Sequence, residues 1–156
     1  MSNSIAVVIP CFNSASSLPR ALDSIINQSV KVDEILVIDD CSSDSSQIKK
    51  ICDSFDSIKY FRNKVNLGLA GSRNVGIHNA NSEIITFLDA DDQFHVNKIK
   101  FQLRYLKDNH VVATEVCRVT NGTEANPTST LKKNFPIRKF ISPYQNLFFN
   151  KLVGSS

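Results

Sequence analysis

The sequence has no apolar run long enough to cross a membrane. The longest, residues 5–12, is strand length and contains Pro10, whereas a spanning helix needs roughly 18 apolar residues. The amino terminus, MSNSIAVVIP, has no basic region ahead of its short apolar stretch, so a secretory signal is not expected. No CxxC pair occurs among the four cysteines at 11, 41, 52 and 117, and the histidines at 78, 95 and 110 lie far from them. Zinc spacing is therefore absent, and reduced thiols in a cytoplasmic setting are the expectation. Cys11 and Cys41 follow the first two apolar runs, and we expect packed thiols there rather than a redox pair. There is no internal repeat and no low-complexity block. The net charge is only +3, too small by itself for a nucleic-acid binder.

What is present is a globular balance. Apolar residues make up 42% and charged residues 21% of 156, which excludes a disordered tail, a collagen-like fibre and a coiled coil. A chain of this length buries roughly 68–70% of its unfolded surface, enough for a core without staples. The charge is unevenly spread. Residues 1–92 carry 8 Lys and Arg against 12 Asp and Glu, whereas residues 93–156 carry 10 against 3. Acid gathers in the first part, and base in a tail that either faces anionic partners or is simply solvated.

The first 92 residues alternate short β-branched runs with helical patterns. Ile5-Ala-Val-Val-Ile9, Glu34-Ile-Leu-Val-Ile38, residues 58–61 and Glu83-Ile-Ile-Thr-Phe-Leu88 read as strands. Leu18, Ala21, Leu22, Ile25 and Ile26 share one helical face, with Ser17 as N-cap and Pro19 in the first turn. Asp44-Ser-Ser-Gln47 reads as a capping box ahead of a helix whose inner face is Ile48, Ile51, Cys52 and Phe55. Residues 70–80 read as a helix, with Gly68 serving a turn and Gly71 and Gly76 letting the helix approach the sheet. Val96, Ile99, Leu103 and Leu106 predict another helix, and residues 111–116 a fifth strand. After Val119 the pattern fades into an Asn121-Gly122 turn signal, a loop and a basic stretch, with one last short helix expected over 142–152. This alternation predicts an α/β fold with a mostly parallel sheet and helices on both faces. The expected organisation is a core over 1–119 and an irregular basic tail over 120–156.

In such sheets ligands bind at the carboxyl ends of the strands. Three polar clusters end strands: residues 10–13, Asp39-Asp40, and Asp89-Ala90-Asp91-Asp92. Five carboxylates converging on one sheet edge would repel one another, and a divalent cation would relieve them. Hard oxygen ligands in small number suit Mg²⁺ or Mn²⁺, which shares its shell with water and substrate phosphates. Such an ion lets a diphosphate approach carboxylates and takes up charge on a departing phosphate. Asp44 is expected to be a helix cap.

The stretches IAVVIPCFNSASSLPRALDSIINQS, EILVIDDCSSD, NLGLAGSRNVGIHNA and EIITFLDADD, in this order, resemble the nucleotide-sugar domain of family 2 glycosyltransferases. The resemblance covers about residues 4–108 and implies the GT-A fold, a three-layer Rossmann-like architecture. It implies that Pro10, Phe12 and Asn13 lie against the base and ribose, and that Asp40, supported by Asp39, accepts a uracil N–H. It implies that Asn66, Gly71 and Arg73 belong to the segment closing over the nucleotide. Asp89, Ala90 and Asp91 match the DxD motif, with Asp89 and Asp91 as the metal-site carboxylates and Asp92 beside them. The implied activity is inverting transfer of a sugar from a nucleotide-diphosphate donor, UDP-linked by the Asp40 match, to a glycan or lipid-linked acceptor. The usual setting is the cytosolic face of a membrane, with peripheral association.

The residues leave some roles open. Arg73 could fork onto a phosphate or pair with an Asp, and Asn13 could form only an Asx-turn. His78 is expected on a helix face, and His95, three residues after the DADD run, could be a ligand. After Asp92 the acidic residues are Asp108, Glu115 and Glu124, none in the ED-type pair from which the family draws its base. The sequence therefore reads as a donor-binding half, either cut before the acceptor half or short by nature. Two rivals are a nucleotide-binding module without transferase activity, and a phosphoacceptor receiver domain, which also ends strands in Asp residues.

Overall fold

In the computed structural model the described residues are 4–106 and two short strands at 119–120 and 123–124. The chain divides into two compact units, Met1–Lys100 and Phe101–Ser156, and the architecture below belongs to the first, except that its last helix runs past Lys100. The order is β1 (Ile5–Cys11), α1 (Leu18–Ile26), β2 (Glu34–Asp39), α2 (Ser45–Asp53), β3 (Ile58–Arg62), α3 (Gly68–Asn79), β4 (Ile84–Phe87) and α4 (Lys98–Leu106). In the second unit β5 (Val119–Thr120) pairs antiparallel with β6 (Thr123–Glu124). The Asn-Gly turn signal falls between these two strands. Glu124, expected in a loop, ends β6. The expected fifth strand at 111–116 and last helix at 142–152 lie outside the described residues.

The four-stranded sheet is wholly parallel, in the order β3-β2-β1-β4. This is the strand order of a Rossmann-type half, and it differs from the 2-1-3-4-5 order of receiver domains. The receiver alternative is thereby overturned. Moving from β1 to β2 to β3 in one direction with right-handed crossovers puts α1 and α2 on one face, where they touch each other. The return crossing to β4 puts α3 on the other face, against β1 and β2.

The period of two along each strand divides the core between these faces. Ala6, Val8, Leu36 and Ile38 are fully buried with Val75 of α3, Phe61 and Phe87 packed around them. Val7, Ile9, Ile35 and Val37 point the other way, the side on which α1 buries Leu18, Leu22 and Ile25. Each such side chain contributes about 1.5–3 kcal/mol by leaving water. α3 sits close because Gly76 has no side chain: a Cβ there would collide with Val8. Gly71 differs from its expected role, since a Cβ on it would meet Leu67 rather than the sheet.

Pro10 shapes the sheet edge. The carbonyls of Ser4 and Val8 accept from β4 and its flank, while those of Ile5 and Cys11 accept from the β2 side. Pro10 has the parity of Ser4 and Val8, so its missing N–H faces β4. Pairing with β4 ends at Val8 opposite Phe87, which fits proline's inability to donate to a ladder.

Three expectations meet corrections. Ser17 stands at the N-cap position of α1 but makes no side-chain cap hydrogen bond, its hydroxyl donating to the Ser14 carbonyl instead. Asp44 occupies the N-cap position of α2, but its side chain makes no cap hydrogen bond. Its Oδ2 instead accepts from the Ala15 N–H at 2.9 Å, because a buried amide in the neighbouring loop needs an acceptor. Val96, expected on the inner face of α4, precedes that helix and is 46% exposed. Its carbonyl accepts from Ser29 N–H, and Gln28 bonds both the His95 carbonyl and the Ile99 N–H, so the end of α1 clamps this loop.

Candidate functional site

The three polar clusters end β1, β2 and β4 at the same sheet edge, with β1 in the middle. At the end of β1, Pro10 is buried and Phe12 is 53% exposed. Asn13 takes a left-handed backbone, φ 52°, a conformation that asparagine tolerates better than most residues. Its N–H donates to Ser42 Oγ, and its Oδ1 accepts from the Ser43 N–H and hydroxyl. Asn13 thus crosslinks the loops after β1 and β2 rather than closing an Asx-turn on its own loop.

At the end of β2 both aspartates are buried. Asp39 accepts from the Ser42 N–H and, at 2.6 Å, from the Tyr60 hydroxyl, with Arg62 Nε 3.5 Å away. Burial pushes its carboxyl up, but hydrogen bonds from Ser42, Tyr60 and Ser45 outweigh that and hold it below the usual range. Tyr60 moves oppositely: burial and the Asp39 charge push its hydroxyl well above the ordinary value. Asp40 Oδ1 accepts from Asn63 Nδ2 at 2.7 Å and the Leu67 N–H at 2.8 Å. Here too desolvation opposes ionisation, and donors from Leu67, Asn63, Ser72 and Gly68 overcome it. Asp40 is therefore a buried anion that can only accept hydrogen bonds.

The segment before α3 supplies these donors. Asn66 accepts the Gly68 N–H at 3.0 Å, closing an Asx-turn, and Gly68 has φ 71° as the turn requires. Arg73 on α3 reaches β4: its Nη2 donates to Asp89 Oδ1 at 2.7 Å, and its guanidinium lies 5.5 Å from the Phe87 ring centre. The Asp pairing is therefore realised, yet Arg73 Nε is buried with no hydrogen-bond partner. Such an unmet donor is costly.

After β4 the chain turns sharply, with Asp92 N–H donating to the Asp89 carbonyl at 3.0 Å. Ala90 is buried, while Asp91 and Asp92 are exposed. Partial burial, then the charges of Asp91 and Asp89, push the Asp92 carboxyl upward. The expected convergence of five carboxylates is not met. Asp39 and Asp40 have their own donors, and β1 lies between β2 and β4. Among the described residues no group of three or more His, Cys, Asp or Glu is gathered to hold a metal. Asp89 and Asp91 nevertheless supply hard oxygens on one turn, the usual protein share for Mg²⁺ or Mn²⁺ completed by phosphates and water. The residues present fit such an ion when a diphosphate is bound.

The remaining expectations divide. His78 is an exposed residue on α3 whose Nδ1 contacts the Asn74 carbonyl. The His95 ring sits by the Asn97 N–H at 3.3 Å, outside any metal group among the described residues. Cys11, Cys41 and Cys52 are free thiols, and burial pushes the Cys52 thiol up to about 11. Asp108 and Glu115 lie outside the described residues. A shallow groove of about 270 Å³ between α1 and residues 93–96, with Arg20, Asp23, Asn27 and Phe94 in its walls, is lined by none of the predicted site residues. The sequence reading missed Tyr60, Asn63 and Ser72, each of which faces a buried carboxylate or its partner. The only signal was an apolar-bodied tyrosine within β3 and an asparagine just after it, residues that need polar partners once buried.

A model of the family described as Glycosyl transferase family 2 matches residues 6–154. The chain belongs to that family. Among relatives of this family 2 chain, the Escherichia coli UDP-Glc:alpha-D-GlcNAc-diphosphoundecaprenol beta-1,3-glucosyltransferase WfgD is 28% identical over 149 residues, covering 96% of this chain and 54% of the relative. Other relatives are glycosyltransferases of which the chain spans 16–45%. Of solved structures, Staphylococcus aureus TarS 1–349 in complex with UDP-GlcNAc superposes with a TM-score of 0.60 and 26% identity, covering 69% of this chain and 32% of that one. The Pyrobaculum calidifontis mannosyltransferase PcManGT, in complex with GDP-Man and Mn²⁺, shares the fold with a TM-score of 0.67 and 24% identity, covering 76% and 36%. The GT-A architecture is thereby established for the described sheet and helices.

Proposed function

We propose that this chain binds a UDP-sugar across the ends of β1, β2 and β4, and that the protein transfers the sugar with inversion to a glycan or lipid-linked acceptor. The observation that carries the reading is the pairing of two features on either side of β1. One is a buried, ionised Asp40, an acceptor matched to a uracil N3–H. The other is the Asp89–Asp91 turn beside Arg73, whose guanidinium Asp89 holds at 2.7 Å. Phe12 offers an exposed apolar face for the base or ribose, and Asn13 fixes the loop that carries it. Asn66 and Gly71 keep the segment after β3 in its turn, so that the Asp40 donors stay in place.

Asp89 and Asp91 would hold Mn²⁺ or Mg²⁺. When bound, that ion neutralises the diphosphate and its leaving charge. Arg73, its guanidinium fixed by Asp89, would set its positive charge beside the diphosphate. The base that deprotonates the acceptor is assigned to no residue of this chain. The name of WfgD supports a polyprenol-linked acceptor, and we place the reaction at a cytosolic membrane surface. Among the described residues no helix is long and apolar enough to cross a membrane.

Calorimetry with UDP and Mn²⁺ tests the reading. Wild type should bind UDP in a metal-dependent way, and Asp91→Ala should lose the metal dependence while melting at an unchanged temperature. Wild-type affinity in that variant would remove the metal assignment.

A further inference from the structure

We propose that Asn63 is a positioning residue that confers uracil preference by locking the Asp40 carboxylate in place. The inference rests on the UDP reading above and adds a residue to it. Asn63 is 8% exposed, and its backbone N–H continues the β3 ladder onto the Asp39 carbonyl at 2.8 Å. That bond sets the side chain under the turn that leads to α3. From there Nδ2 donates to Asp40 Oδ1 at 2.7 Å and lies 3.1 Å from Ser72 Oγ. The Leu67 N–H reaches the same Oδ1 at 2.8 Å.

Two donors on one oxygen, the Asn63 side chain and the Leu67 backbone at opposite ends of the turn after β3, restrict rotation of the carboxylate plane. The Ser72 hydroxyl, on the buried face of α3, holds the Asn63 amide in turn. β2, the turn after β3, and α3 thus converge on one side chain. Asn63 also supplies part of the hydrogen bonding that keeps Asp40 ionised against its burial. An ionised carboxylate accepts and never donates. It favours a base edge presenting N–H, as uracil does at N3, over cytosine, whose N3 is an acceptor. A misplaced or protonated Asp40 would lose that discrimination while leaving ribose and diphosphate contacts untouched.

The test measures UDP and CDP affinity of the 156-residue chain by calorimetry at saturating Mn²⁺. Wild type, Asn63→Ala, Asn63→Asp and Ser72→Ala are compared, with thermal melting of each. Asn63→Asp keeps the shape and replaces the donor by an acceptor, so it guards against an effect of the cavity alone. Loss of a charge-assisted bond should weaken UDP about tenfold or more, with CDP held within about twofold. Ser72→Ala should fall between wild type and Asn63→Asp. Equal losses for UDP and CDP in a variant, or an unchanged ratio, would overturn the role of Asn63 while the wild-type preference for UDP still stood. A wild type that binds UDP and CDP equally would overturn the uracil reading itself, and the Asn63 role with it.

Discussion

Single side chains at the sheet edge differ in what their removal should do. Tyr60→Phe deletes the hydroxyl that meets Asp39 Oδ2. Asp39 is fully buried, and a hydrogen bond to a charged group contributes about 1.5–3 kcal/mol. We expect an unfolding free energy lower by about that amount, measured by chemical denaturation, with UDP affinity less affected because Asp39 is assigned only to support Asp40. Gly76→Ala places a methyl against Val8, and overpacking of this kind costs about 1–3 kcal/mol. Gly71→Ala should destabilise as well, because the atom in its way, the Leu67 Cβ at 2.5 Å, is tied to the backbone and cannot swing aside. Unchanged urea midpoints for both variants would contradict this packing. At this scale the sequence was partly legible. Asp40 and Asp89 stood out because aspartate at the end of an apolar strand is conspicuous. Asn63 and Ser72 did not, because their work depends on a tertiary contact between the turn after β3 and the third turn of chain beyond it, which no local pattern encodes.

At the level of elements, the Glu34 carboxylate pins the amino end of β2 to the α3–β4 connection. It accepts from the Asn81 and Ser82 amides, the Ser82 hydroxyl and Lys59. The Lys59 hydrogen bond, against a smaller desolvation, and then these amides and side chains lower its pKa to about 2. A carboxyl depressed in the folded state stabilises above its unfolded value and loses that contribution as pH falls through the folded one. Glu34→Gln should therefore be less stable than wild type at pH 7, and the two should converge as the pH drops from about 4.5 towards 2. Urea titrations at a series of pH values read this directly. Element types and order were legible because β-branched runs and the apolar stripe of α1 repeat at the right periods. Ends were less so. Val96 belongs to the helical stripe by spacing, yet Gln28 and Ser29 capture its loop. The acid at 44 satisfied a capping pattern but found a more demanding partner in Ala15.

For the molecule as a whole, a ligand that binds only the folded state raises stability by mass action, about 2.7 kcal/mol at a hundredfold excess over its dissociation constant. UDP and Mn²⁺ together should raise the melting temperature more than the sum of their separate effects, since each supplies the other's partner at Asp89 and Asp91. Simple additivity in a scan with CDP, UDP, Mn²⁺ and their pairs would argue against a shared site. The sheet order could not be read from the sequence, because alternating strands and helices suit both a Rossmann-type half and a receiver. It was decided by where β4 lands, beside β1 rather than β3.

That landing has a further effect through Pro10. With an amide at position 10, the carbonyl of Leu88 would gain a donor and the two strands could zip one rung further. The ring at position 10 works as a stop, ending by covalent geometry a ladder that backbone bonding would otherwise carry on towards Asp89.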